Sequence, residues 1–87
     1  MIAGPEIARL AKEQLAQLTG LKADTVSELA KEADGWSVAV ELCELKRIPE
    51  SSDMLATYDA LLDGNGVLIR YKRTRRYLRG QEMSEQG

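Results

Sequence analysis

The sequence predicts an α+β domain: one N-terminal helix packed on a three- to four-stranded antiparallel β-sheet meander. Three observations lead there. Apolar residues near the start recur at helical spacing, and those from Trp36 onward alternate with polar ones. The alternating stretches are divided by turn signals, Asp34-Gly35 and Asp63-Gly64-Asn65-Gly66. Eighty-seven residues make one domain over 1–87, with the helix at about 5–19, the sheet at about 25–79 and a frayed polar end over 81–87.

Each element has its own reason. Pro5 suits the first helical position and Glu6 complements the positive helix start. Ile7, Leu10, Ala11, Leu15 and Leu18 form an amphipathic face, and Gly20 ends the helix as a left-handed cap. From Leu21 to Ala33 two patterns compete. Val26, Leu29, Ala30 and Ala33 fit a helical stripe that Asp24 could cap, whereas the Asp34-Gly35 turn demands a strand before it. The hairpin argument predicts an irregular strand over 25–32.

Trp36, Val38, Val40 and Leu42 then share one strand face, the core face, and Ser37, Ala39, Glu41 and Cys43 share the other. Residues 46–53 form a loop in which Pro49 breaks the ladder. Leu55–Leu62 and Val67–Leu78 are the last two strands, joined by a turn that needs residues tolerant of positive φ, Gly66 among them. Closing that turn with Leu62 opposite Val67 sets Asp59 against Arg70, Tyr58 against Tyr71 and Ala56 against Arg73. Trp36, Pro49, Tyr58 and Gly66 are therefore assigned to the fold. Trp36 is expected to be the largest piece of an otherwise aliphatic core, because there is no Phe.

Composition narrows the chemistry. No histidine is present and Cys43 is the one cysteine, which removes the usual zinc sites, Ser-His and Cys-His nucleophile pairs, and an internal disulfide. Carboxylates are plentiful, but no pair is set apart by spacing as an acid/base couple. No cofactor, no metal and no enzymatic activity are expected. No apolar run is long enough for a membrane span, and the start lacks the features of a signal peptide. A reduced, cytoplasmic domain is the expectation.

The feature that calls for a function is the stretch from Arg70 to Arg79. It holds six of the twelve basic residues and no acid, so a chain of net charge −2 carries −8 elsewhere. By strand parity Tyr71, Arg73, Arg75 and Tyr77 point one way, and Arg70, Lys72, Thr74, Arg76 and Leu78 the other. Three readings stand side by side. The cations can answer Glu41, Glu44, Asp53 and Asp59 in a cross-strand ladder. They can form a protein interface, where Arg and Tyr are favoured anchors. Or they can hold single-stranded nucleic acid by phosphate contact and base stacking. The near-neutral total charge argues against a general nucleic-acid binder.

One ordered set of residues resembles a known family. It comprises Asp34, Gly35 and Trp36; Val38, Val40 and Glu41; Arg47, Ile48 and Pro49; and Asp53, Leu55, Ala56 and Tyr58. It continues with Leu62, Asp63 and Gly66, and closes with Tyr71, Arg73, Arg75, Arg76, Tyr77 and Arg79. Together they resemble the gas vesicle protein O family, densely over 34–80 and more loosely in the preceding helix. The resemblance implies a non-enzymatic accessory protein that assists formation of the gas-filled protein shell by binding other gas vesicle proteins. It also implies a place in the cytoplasm with vesicles or their assembly intermediates. The resemblance further implies that members often carry a longer charged segment before the shared domain, and little of that segment is expected here. The expected docking surface is Arg70, Lys72, Arg73, Arg75, Arg76 and Tyr77. The alternative is a small single-strand nucleic-acid-binding or regulatory module using the basic strand 70–79, and an exposed strand edge leaves pairing into a homodimer open.

Overall fold

Pro5 and Gly20 delimit the first element as their chemistry requires. The computed structural model describes residues 3–80, and in it helix α1 runs over Gly4–Thr19 with Pro5 in its first turn. Gly20 takes φ 75° and donates its N–H to the Ala16 carbonyl at 2.9 Å, the left-handed cap expected of glycine. Ile7, Ala11 and Leu15 are completely buried. Leu18, placed by spacing on the same face, is 61% exposed, because the last helical turn has already passed the core.

Four strands follow: β1 (Lys22–Glu32), β2 (Gly35–Leu45), β3 (Met54–Asp63) and β4 (Leu68–Leu78). They form one antiparallel sheet in the order β1-β2-β3-β4. The ambiguous stretch is thus a strand, beginning at Lys22 rather than 25. Its irregularity comes from register shifts that leave Asp24 and Ser27 without partners across from β2. Pairing along β2 overrides the helical stripe, and Val26 and Leu29 instead oppose Val40 and Val38.

The β1–β2 turn is Ala33-Asp34, and Gly35 already belongs to β2. Gly35 is not needed for a positive φ, since only Gly20 and Gly66 have one among the described residues. Its role is proximity: a Cβ there would lie 2.0 Å from the Leu62 carbonyl oxygen. Gly66 takes φ 85° in the β3–β4 turn. The Asp63 carboxylate organises that turn, accepting the N–H groups of Asn65 and Val67 at 2.9 Å each.

One sheet face carries the core. Val38, Val40, Leu42, Ala56, Tyr58, Ala60 and Leu62 meet Ile7, Ala11 and Leu15 there, all buried. Trp36 is not the centre of this core. It is partly buried at the margin, next to the hairpin turn, with the Lys31 ammonium 5.5 Å from its ring centroid. The largest fully buried side chains are Ile7, Leu15, Leu42 and Leu62. The helix packs on β1 and β2, and Gln14 ties it to the far end by bonding the Gly66 carbonyl and the Leu68 N–H at 2.8 Å each. No helix covers the opposite sheet face among the described residues. The expected frayed end over 81–87 lies outside the described residues.

Candidate functional site

The basic stretch is β4, an edge strand of the sheet. Its register departs from the simple hairpin. Leu62 pairs with Leu68 rather than Val67, Asp59 with Lys72 rather than Arg70, and Ala56 with Arg76 rather than Arg73. Two register shifts cause this, leaving Ile69 and Thr74 as extra residues in β4. Such bulges increase twist and blunt an open edge against unwanted pairing. Tyr58 therefore opposes Arg73, although its ring still meets that of Tyr71 diagonally at 6.1 Å, tilted by 44°.

The Thr74 bulge also re-sorts the cations. Pairing with Met54, Ala56, Tyr58 and Ala60 places Leu78, Arg76, Arg73 and Tyr71 on the helix side. Pairing with Leu55, Thr57, Asp59 and Leu61 places Tyr77, Arg75, Lys72 and Arg70 on the open face. The predicted row of Tyr71, Arg73, Arg75 and Tyr77 on one face is thus broken in the middle.

On the helix side the cations are held by one carboxylate. Glu44 sits where the β2–β3 register shifts, between the pairs Cys43–Leu55 and Leu45–Met54. It accepts bonds from the Arg73 guanidinium at 3.0 Å and the Tyr58 hydroxyl at 3.1 Å, and pairs with Arg76 Nε at 2.8 Å. Burial pushes the Glu44 carboxyl up, but the bonds from Arg73 and Tyr58 and the charges of Arg73 and Arg76 outweigh it. The group lies below its ordinary range. Burial, and then the bond to Glu44, raise the Tyr58 hydroxyl.

The open face has a different centre. Glu41 is only 8% exposed although no helix covers it. It accepts hydroxyl protons from Ser27 at 2.6 Å, Thr57 at 2.7 Å and Tyr77 at 2.5 Å. Charge-assisted bonds of this length are strong and orient both partners. The Arg75 guanidinium then lies 4.5 Å from the Tyr77 ring centroid. Ser27 and Thr57 escaped the sequence reading. Their signal is short hydroxyl residues on the strands flanking Glu41, with Thr57 directly across from it.

Beyond this cluster Arg70 and Lys72 are exposed and make no ion pair with any described residue. They line a shallow cleft with Ser37, Asp59, Leu61 and Tyr71. Past the strand, Arg79 is clamped to Asp24 at 3.1 Å and Asp53 at 3.2 Å. Asp53 is fully buried and also accepts the Arg47 N–H at 2.8 Å and the Lys46 ammonium at 3.0 Å. The Arg47 backbone bond, opposed by burial and aided by Lys46 and Arg79, holds its carboxyl below the usual value. The ladder and the exposed row therefore coexist. Arg73, Arg76 and Arg79 serve the ladder, while Arg70 and Lys72 remain exposed to solvent.

Cys43 is a half-buried free thiol. Among the described residues no three His, Cys, Asp or Glu side chains converge on a metal site, and no helix is long and apolar enough to cross a membrane.

Known proteins resemble this chain in sequence. Gas vesicle protein O of Streptomyces sp. (strain CB03234) is 45% identical over 75 residues, covering 86% of this chain and 59% of that protein. Gas vesicle protein O of Haloferax mediterranei is 36% identical over 56 residues, covering 64% of this chain and 40% of the relative. Gas vesicle protein O1 of Halobacterium salinarum is 35% identical over 52 residues, covering 60% and 44% respectively. The matches thus span about half the length of these curated relatives. No solved structure matches. The family described as gas vesicle synthesis protein GvpO matches residues 2–83, nearly the full length, and the chain belongs to that family.

Proposed function

We propose that the chain is a non-enzymatic accessory protein of gas vesicle formation, acting by binding other gas vesicle proteins through β4. Its family supports the setting. The observation that carries the mode of action is the exposed row on the open face, where Arg70 and Lys72 find no ion-pair partner among the described residues. Next to them Tyr77 is held by Glu41 and stacked under Arg75. Such a surface offers an acidic partner cations whose neighbours are already ordered, which lowers the entropy lost on binding. The protein would work in the cytoplasm, with vesicles or their assembly intermediates.

The division of the arginines also decides how to test it. Arg73 and Arg76 hold Glu44, so changing them confounds docking with folding. Arg70→Glu with Lys72→Glu leaves every ion pair described above in place. In cells expressing a gas vesicle gene cluster, that double variant should lower vesicle yield, read by buoyancy and electron microscopy, with its circular dichroism unchanged. It should also weaken capture of the other gas vesicle proteins by the purified chain at moderate salt. Vesicle yield and capture equal to wild type would refute the reading. A steep salt dependence toward single-stranded DNA in place of protein capture would favour a nucleic-acid module instead.

A further inference from the structure

The open sheet face is laid out in rows, because residues paired on neighbouring strands stand at one level. One row crosses the sheet near its middle and contains Glu28, Ala39, Asp59 and Lys72. The next row toward the hairpin turns contains Ala30, Ser37, Leu61 and Arg70. The centre of the face is low. Ala39 lies at the bottom of a hollow of about 330 Å³ walled by Glu28, Glu41, Asp59 and Arg75.

Charge is divided across this face. Its β1 margin carries Glu28 and Glu32, and its β4 margin carries Arg70 and Lys72. All four are exposed, and none makes an ion pair with a described residue. The charges between the margins do not cancel them. Glu41 is taken up by three hydroxyls and Asp63 by its own turn. Asp59 stands across from Lys72 without an ion pair, and Arg70, Lys72 and Arg75 together outnumber it. Lys22 lies at the far end of β1, level with Cys43.

We infer that two copies pack open face to open face, about a two-fold axis that runs along the strands between β2 and β3. That operation keeps every residue at its level and sets β1 of one copy over β4 of the other. Glu28 then faces Lys72 of the other copy, and the contact occurs twice. Arg70 falls over Ala30 of the other copy, within about 7 Å along the strand of Glu32. Leu61 falls over Ser37 and Asp59 over Ala39, a longer side chain over a shorter one each time. Charge rejects the other symmetric arrangements. An axis across the strands would lay β4 on β4 and set cations against cations, and so would edge pairing of β4 with itself, which the Ile69 and Thr74 bulges also hinder. An unrelated protein would have to reproduce both margins at this spacing, whereas a second copy has them by symmetry. Strands of ten or eleven residues, about 4.8 Å apart, present about 600–700 Å² per copy, toward the low end for specific interfaces. With little apolar surface between the margins, a dissociation constant on the order of 10–100 µM follows. The inference does not rest on the docking role of β4 but bears on it. The same contact covers Arg70 and Lys72, so a paired copy cannot dock another protein there.

Sedimentation velocity on the purified full chain alone, from about 1 µM to about 1 mM at low salt, tests it. The weight-average sedimentation coefficient should rise to that of a dimer and level off there. Glu28→Lys with Glu32→Lys makes both margins positive, and Arg70→Glu with Lys72→Glu makes both negative. Each double variant alone should associate about tenfold more weakly or less, with its circular dichroism unchanged. Mixed together, the two should form a 1:1 dimer at least as tight as the wild type, because each margin again meets its opposite. A wild-type chain that stays monomeric or grows past a dimer would overturn the inference. So would a double variant that pairs with itself as wild type does, or a mixture that associates no better than its parts. No other protein is present, so none of these results depends on docking to gas vesicle proteins.

Discussion

Replacing Glu41 with alanine removes the carboxylate to which Ser27, Thr57 and Tyr77 all donate. Hydrogen bonds to a charged group contribute about 1.5–3 kcal/mol each, and the three share one acceptor, so their losses are not additive. The hydroxyls of Ser27 and Tyr77 can turn to water more readily than that of Thr57 in the middle of the sheet. A net destabilisation of about 3 kcal/mol is expected, a large share of the 5–15 kcal/mol that holds a small domain together. For a domain of this size that corresponds to a fall in melting temperature of roughly 12–24 °C. Glu41→Gln, which keeps an acceptor oxygen for Thr57 and Tyr77, should cost about 1 kcal/mol. The assay is urea unfolding followed by far-UV circular dichroism, with thermal melts in parallel. A Glu41→Ala loss below about 1 kcal/mol would refute the reasoning. It would mean that water on the open face replaces the carboxylate and that Tyr77 and Arg75 are not held by it.

Two further outcomes follow from the same structure. Glu44 and Asp53 both have carboxyls lowered on folding. The unfolded chain therefore takes up their protons first as pH falls, and the stability they confer, complete above the ordinary carboxylate range, is lost as pH drops through their folded values. Stability should decline below about pH 4, and Glu44→Gln with Asp53→Asn should flatten that decline in unfolding titrations; an unaltered acid profile would contradict the assignment. Gly35→Ala places a methyl 2.0 Å from the Leu62 carbonyl oxygen. It should destabilise by at least about 1–3 kcal/mol, and an alanine variant melting at the wild-type temperature would show that the two strands part at no cost.

Much of this fold is legible in the sequence for local reasons. Pro5 and Gly20 mark the helix because each has a backbone preference that needs no neighbour to express it. The alternation from Trp36 to Leu42 names the core face of β2, and the structure buries Val38, Val40 and Leu42 on it. The same local logic fails where a residue answers to something distant. Residues 22–32 carry a helical stripe, and their strand character comes from pairing with β2. Leu18 has the right spacing but lies past the end of the core, and Trp36 has the right parity but sits at its margin.

The division between sequence and tertiary structure is sharpest in the basic stretch. Its composition is evident by inspection: six cations and two tyrosines over ten residues, with a period that reads as a strand. Which of them are occupied was decided by two inserted residues, Ile69 and Thr74, that no propensity signals. A one-residue bulge reverses the face of every side chain beyond it, because side chains alternate with a period of two. So Arg73 and Arg76 meet on Glu44, Tyr77 reaches Glu41 on the other face, and Arg70 and Lys72 remain exposed. Sequence alone determined that this protein carries a cationic strand on an acidic domain. The register of that strand, set by long-range hydrogen bonding, determined which cations hold the fold and which face outward.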